Sequence, residues 1–382
     1  MTGEKERSPA HHYTDVTTFT FYMLLFITQE FTDFFGGGVI TKRNLSICQN
    51  VLEIGQVRTF LLPARKGGIH TLKEFATGYM MGLTKTHQSD ILGILRSDPA
   101  IKLVFVDYSL LGQLVKRIKE EFPKVKVIVF FHNVEIVYFS SYLLTSKRLH
   151  HVIGLPATIA NEWKSVKYAD SVITLNQRDS HDLERWYKRS SDLILPTSLP
   201  DLFDKSALQK RQSTDPIILL FVGSRFFPNE QGMKWFIQKV LPHLANVKLY
   251  IVGKGFEALR ENWNSEKVEV VGACQDLSPY YYMSDVVVAP IFTGSGMKTK
   301  VAEALMYGKT VLGTAEAFEG YEIDREEVGK ECNSESDFID FIKNFSPGNL
   351  KYNEKSRDIF DKFYNTSTVT NCFSEFIKTM QS

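Results

Sequence analysis

The chain has 382 residues, 43% hydrophobic and 23% charged, with 45 basic against 44 acidic side chains and a formal charge of +1. Those values suit two folded domains and exclude intrinsic disorder, a fibrous repeat and a global basic field for nucleic acid. The basic excess falls in the first 205 residues and the acidic excess in the remainder, so the two halves are expected to face different partners.

Residues 1–18 are polar without periodicity and read as a disordered extension. The apolar run Phe19–Ile27 stops at Gln29–Glu30, about ten residues where a membrane span needs about 20. No small-residue cleavage site follows it. Four scattered cysteines, Cys48, Cys274, Cys332 and Cys372, with no CxxC, read as reduced thiols of a cytoplasmic protein with no metal site.

From Met23 the text is strand-like and runs into Gly36-Gly37-Gly38, read as a loop. A helix follows, with Leu45, Cys48, Val51 and Leu52 on one face. IKLVFVD (101–107), a helix over 109–121, KVIVFFH (126–132), SVITLN (171–176) and a helix from Gln177 continue the alternation. The Pro-, Ser- and charge-rich stretch 196–216 reads as a linker, with domain boundaries at 19–199 and 217–382. After it come IILLFVG (217–223), a helix over 229–245, KLYIVG (248–253), KVEVVG (267–272), DVVVAP (285–290), a helix over 298–307 and TVLGT (310–314). The tail from Ser334 reads as helical, with the last helix free to pack back on the first domain. Short β-branched runs alternating with helices predict α/β architecture: two Rossmann-like, doubly wound parallel sheets. Ligands of such sheets bind beyond the carboxyl ends of the strands, in a cleft where two domains face each other.

The loops after strands therefore carry the candidates. Gly253-Lys254-Gly255-Phe256-Glu257-Ala258 matches a loose dinucleotide pattern and reads as a tight turn. No GxxxxGK[ST] and no DxD occurs. In GSGMKTKVAEAL (294–305) a glycine loop opens into a helix, whose amides and positive end suit a pyrophosphate. Lys298 or Lys300 would add charge there, and Glu303 would accept from ribose hydroxyls. His132 closes a strand at the cleft; alone, such a residue is more often structural. Gly37 and Gly38 permit close backbone approach to a phosphate or acceptor. Asn176 and Arg178 end another strand, and Glu135 reads as a cap of the turn after His132. Lys116, Arg117, Lys119, Lys124 and Lys126 form a basic cluster, either a solvated helix face or a peripheral contact with anionic lipid at the inner face of the membrane.

FVGSRFFPNEQGMKWF (221–236), LYIVGKG (249–255), DLSPYYYMSDVVVAPIFTGSGMKTKVAEALMYGKTVLGT (276–314) and AFEGYE (317–322) run in the order found in retaining glycosyltransferases of the GT-B fold, family 4, which they resemble. The first half resembles that family more loosely, through the GGG loop, FFHNVE (130–135) and ADSVITLN (169–176). The resemblance implies a nucleotide-diphosphate sugar held by the second domain and a glycan, lipid-linked or protein acceptor on the first. It implies transfer of a hexosyl group with retention, without metal or cofactor, in surface polysaccharide or glycoconjugate synthesis. Glu303 matches the second Glu of the family's paired motif, while Ser295 stands where the first is common. Backbone amides at Gly296, Met297 and Lys298 would then carry more of the donor. Arg225 fits the family's diphosphate Arg, Gln231 stands in place of its Lys, and Lys298 is the replacement the sequence suggests. His132 matches the family's cleft histidine. A catalytically silent donor-binding subunit and a sugar-nucleotide epimerase are the alternatives.

Overall fold

The computed structural model describes residues 23–30, 36–52, 54–64, 74–137, 139–140, 149–208, 210, 216–294, 296–346, 348 and 351–381. The first lobe is a six-stranded parallel sheet of β1 (Met23–Gln29), β2 (Val57–Leu62), β3 (Ile101–Val106), β4 (Lys126–Phe131), β5 (Ser171–Thr174) and β6 (Leu193–Ile194), in the order β2-β1-β3-β4-β5-β6. The second is another, of β7 (Ile217–Val222), β8 (Val247–Val252), β9 (Val268–Gly272), β10 (Val286–Ala289), β11 (Thr310–Gly313) and β12 (Gly329–Glu331), in the order β12-β11-β10-β7-β8-β9. The central strands are buried on both faces, which is why KVIVFF and VVVA are continuous apolar runs without alternation. Strand order reverses between β1 and β3 in one sheet and between β7 and β10 in the other. Ligand crevices belong at those two points.

The helices of the first lobe are α1 (Gly36–Leu52), α2 (Lys85–Ser97), α3 (Gly112–Glu121), α4 (Leu149–Tyr168) and α5 (Gln177–Tyr187). Helix α3 buries Leu114, Val115 and Ile118 on one stripe, and α5 is capped by Asn176, whose side chain accepts from the Asp179 amide. The second lobe carries α6 (Phe227–Lys239), α7 (Ser278–Met283), α8 (Thr299–Met306) and α9 (Glu335–Asn344), the last opened by a Ser334–Asp337 capping box. Gly36, Gly37 and Gly38 form the first turn of α1, so the expected loop is already helical there. Two elements the periodicity did not reveal are β2 and α2. Strand β2 is a sheet edge and largely exposed, so its VRTFLL text never shows a buried run.

The chain passes between lobes twice. Residues 195–208 lead out of the first sheet, and the terminal helix α10 (Thr366–Gln381) returns to pack on α1. The passages are stitched where the Leu199 amide donates to Tyr364 O (2.9 Å) and the Thr366 amide to Leu199 O (3.0 Å). Arg357 adds an ion pair to Asp201 (2.8 Å). On α10, Val369, Phe373 and Ile377 are buried in one apolar cluster with Phe26, Phe105 and Phe130 of the first sheet, Phe373 meeting the edge of Phe105. Burying a side chain such as Phe373 stabilises by about 1.5–3 kcal/mol.

Candidate functional site

At the first switch point, β3 ends in Asp107, whose carboxylate is wholly buried. It accepts from Thr28 Oγ1 (3.1 Å) on β1 and from Thr41 Oγ1 (2.7 Å) and Asn44 Nδ2 (2.7 Å) on α1. His132 follows β4 and is 8% exposed, stacked on Tyr108 (centroids 4.6 Å) and edge-on to Phe130 (5.0 Å). Its Nε2 lies 3.4 Å from Asp107 Oδ2 without the alignment of a hydrogen bond, and has no hydrogen-bond partner among the described residues. The ring is therefore held by stacking, with Nε2 turned towards the Asp107 carboxyl.

The turn after His132 is fixed by a residue that the sequence reading missed. Glu162, on α4, is fully buried and accepts from the amides of Glu135 (2.8 Å) and Ile136 (3.1 Å), from Ser109 Oγ (3.2 Å) and from Tyr187 OH (2.8 Å). Burial still pushes its carboxyl up to about 7, because four donors do not replace full hydration. A lone acid between Asn161 and Ser165, on the same helix face as Thr158, was the available signal.

At the second switch point, the loop after β7 bends at Gly223 (φ +154°), whose amide donates to Val252 O (3.0 Å). A Cβ on Gly223 would come 2.9 Å from Asn229 Nδ2 and 3.2 Å from Lys300 Nζ. Lys300, in the first turn of α8, is 8% exposed, donates to Asn229 Oδ1 (2.6 Å) and lies 4.6 Å from the centre of the Phe221 ring. Asn229 is held in turn by its own bond to Ser224 O (2.7 Å). Burial lowers the Lys300 pKa to about 7. A buried ammonium with one hydrogen-bond acceptor among the described residues has unused donors, and an anion would satisfy them.

The other cations are committed elsewhere. Lys298 donates to Gly296 O (2.7 Å) and to Glu316 Oε1 (2.7 Å), bracing the glycine loop against residues 314–321. Arg225 is exposed and pairs with Glu230 (2.7 Å). Gln231 is exposed on α6. Ser295 lies outside the described residues. Met297 is buried, and Gly296 adopts φ +66°, a left-handed conformation that favours glycine. Glu303 accepts from Tyr281 OH (2.8 Å), and burial raises its carboxyl pKa. Gly253 packs so tightly that a Cβ would overlap Gly223 O, so the GxG text there builds a close turn behind Arg225.

Among the described residues, the lobes approach each other across the cleft as follows. Arg178 on α5 pairs with Glu319 (3.0 Å), Asn176 lies against Gly320, and Asn133, next to His132, faces Gly296. The His132 turn and the glycine loop before α8 thus confront each other, with Lys300 on one side and Asp107 on the other. Gly37 and Gly38 stand in the first turn of α1, the helix that follows β1. Among the described residues, no group of three His, Cys, Asp or Glu could hold a metal ion. Nor is any helix among them long and apolar enough to cross a membrane.

Residues 216–343 match the model of the family described as glycosyl transferases group 1. The chain is 24% identical over 237 residues to an uncharacterised 44.6 kDa protein in the cps region of Klebsiella pneumoniae, covering 56% of this chain and 58% of that one. The match thus spans little more than half the length of that curated relative. Among solved structures, the chain is similar to the apo form of the lipopolysaccharide outer core galactosyltransferase WaaB (12% identity, 93% of this chain, 99% of that one, TM-score 0.62). It is also similar to Anabaena Alr3699/HepE in complex with UDP (9% identity, 94% and 100% covered, TM-score 0.66). The architecture of two facing doubly wound lobes is the GT-B fold.

Proposed function

We propose that the protein is a glycosyltransferase that moves a hexosyl group from a nucleotide-diphosphate sugar to an acceptor hydroxyl, with retention of configuration and without a metal. The observation that carries this reading is the buried Lys300 ammonium beside Gly223 at the β7/β10 switch point, within the segment that matches the family model. A diphosphate leaving group needs positive charge that is already in place when the glycosidic bond breaks. Lys300 supplies it, held by Asn229, and the loop amides around Gly296 and Met297 add dipoles. Lys298 acts at one remove, by positioning the loop through Glu316. Glu303 receives the ribose hydroxyls, and Tyr281 orients its carboxylate. HepE is described with UDP and with UDP-glucose, which favours a uridine donor here.

Across the cleft, His132 meets the donor sugar, its ring polarised by Asp107. The bond from C1 to the phosphate oxygen breaks, and a bond from C1 to the acceptor oxygen forms on the same face. The acceptor's proton passes to the departing phosphate oxygen. Closure of the lobes about 195–208 and 360–366 excludes water during the transfer. The acceptor lies on the first lobe, and the relative's place in a cps region favours a glycan of surface polysaccharide. The reading places the enzyme in the cytoplasm with no cofactor beyond its donor.

Thermal unfolding against UDP, GDP and ADP and their sugars, with and without EDTA, tests the donor site. A ligand at 100 times its Kd adds about 2.7 kcal/mol of stability. A shift for one nucleotide, unchanged by EDTA and lost in Lys300→Met, supports the reading, and no shift for any of them removes it. Binding without turnover would make the chain a silent donor-binding subunit, and an isomerised donor would make it an epimerase.

A further inference from the structure

Helix α4 is amphipathic the wrong way round for a soluble surface. Its inward face is polar, with Thr158, Asn161, Glu162 and Ser165 all buried. Its outward face is apolar: Leu155, Pro156, Ile159, Ala160 and Trp163 line a shallow depression of about 740 Å³, bounded at one end by Lys164. Ile159 is 37% and Trp163 46% exposed. Burial within the fold explains the polar face. The apolar face has no cover among the described residues, which leaves it for a partner.

The surrounding charges indicate which one. The Lys167 ammonium stands 4.5 Å from the Trp163 ring and 5.4 Å from Tyr168, and Lys116, on the neighbouring α3, stands 5.9 Å from Tyr168. Lys164 is anchored to Gln113 Oε1 (2.7 Å). The acid of α4, Glu162, is turned inward, and Glu120 on α3 is answered by Lys116 and Arg117 (3.5 Å each). An exposed Trp with lysines on long stems at its edge is the pattern of an interfacial anchor, with the ring at headgroup depth and the cations reaching phosphates. Lysine binds phosphate as a point charge on a flexible stem, which fits a fluid sheet of headgroups better than fixed carboxylates. The basic cluster read from the sequence only borders this face, since Lys119 is spent on Asp170 (2.9 Å) and on two backbone carbonyls.

We propose that the outward face of α4, centred on Ile159 and Trp163 and rimmed by Lys116, Lys164 and Lys167, docks on an anionic lipid bilayer. The contact is peripheral, and it is independent of the donor-site reading.

Co-sedimentation of the full chain with vesicles rich in phosphatidylglycerol, against vesicles of phosphatidylcholine alone, tests this. The expected result is salt-sensitive binding to the anionic vesicles only. Ile159→Ser/Trp163→Ser should lower it at least tenfold, and each of Lys164→Gln and Lys167→Gln about fivefold. The nucleotide-induced thermal shift should be unchanged in all these variants, which shows them folded and keeps the donor site a separate question. Equal binding to both vesicle types, no binding, or binding indifferent to Ile159→Ser/Trp163→Ser overturns the proposal. So does a self-association in sedimentation velocity that the double variant dissolves, which would make a second copy the occupant.

Discussion

The two lobes share one architecture and partner their buried charges differently near the switch points. In the first, Asp107 accepts from three neutral donors and Glu162 from four. In the second, where the buried Glu303 carboxyl accepts from Tyr281, the Lys300 ammonium has a single acceptor among the described residues. A saturated carboxylate is finished structure, whereas an under-saturated ammonium awaits an anion. Lys309 sharpens the contrast, because burial lowers its pKa to about 7 as well. It stands at the opposite end of the sheet and already donates to Ser284 O (3.1 Å) and Lys351 O (2.5 Å). Two lysines perturbed alike therefore differ in role by what is left unsatisfied around them.

The largest effect should come from Lys300→Met, which removes the charge and keeps the shape. Transfer should fall by about 10²–10³-fold, as for loss of one preorganised donor, while the melting temperature holds or rises. Lys309→Met should do the reverse, lowering stability and leaving donor affinity alone. If Lys300→Met merely unfolds the protein, the contrast between the two fails.

Asp107→Ala should rank next, at about 3 kcal/mol in urea unfolding, because it strands Thr28, Thr41 and Asn44 donors in the interior. Two buried groups, Glu162 in the first lobe and Lys300 in the second, should also answer pH in opposite senses. Glu162 has its folded pKa raised from 4.5 to about 7, so the folded state holds the extra proton. Stability is then highest below about 4.5 and declines by about 2–3 kcal/mol as pH rises to about 7. Lys300 has its folded pKa lowered from 10.5 to about 7, so its contribution is fully present above 10.5 and is lost as pH falls towards 7. Glu162→Gln should flatten the acid limb and Lys300→Met the alkaline one. Nucleotide binding near pH 8 should take up a proton at Lys300, read by calorimetry in buffers of different ionisation enthalpy. The smallest effect belongs to Arg178→Ala. The partly exposed pair with Glu319 should contribute about 0.5 kcal/mol, seen as a slight opening of the lobes in small-angle scattering.

Much of this was legible beforehand. The alternation of β-branched runs with helices predicts both sheets, and the glycine loop with Glu303 locates the second lobe's crevice. His132 could be placed by its position after a strand. The choice between Lys298 and Lys300 could not. The two are separated by the entry into α8 after the left-handed turn at Gly296, and that geometry sends one ammonium to Glu316 and the other under Gly223. Asp107 and Glu162 were hidden for a related reason. Their partners come from 25 to 79 residues away, so no local pattern betrays them.

The return of α10 to the first lobe has a consequence for the order of synthesis. Phe26 and Phe105 are emitted long before Phe373, which meets the edge of Phe105 only after the whole second lobe has been made. At about 5–20 residues per second, the nascent first lobe waits tens of seconds with an apolar flank uncovered. Its completion therefore follows that of the second lobe, and a ribosome stalled short of Thr366 leaves a sheet that has every strand and lacks its cover.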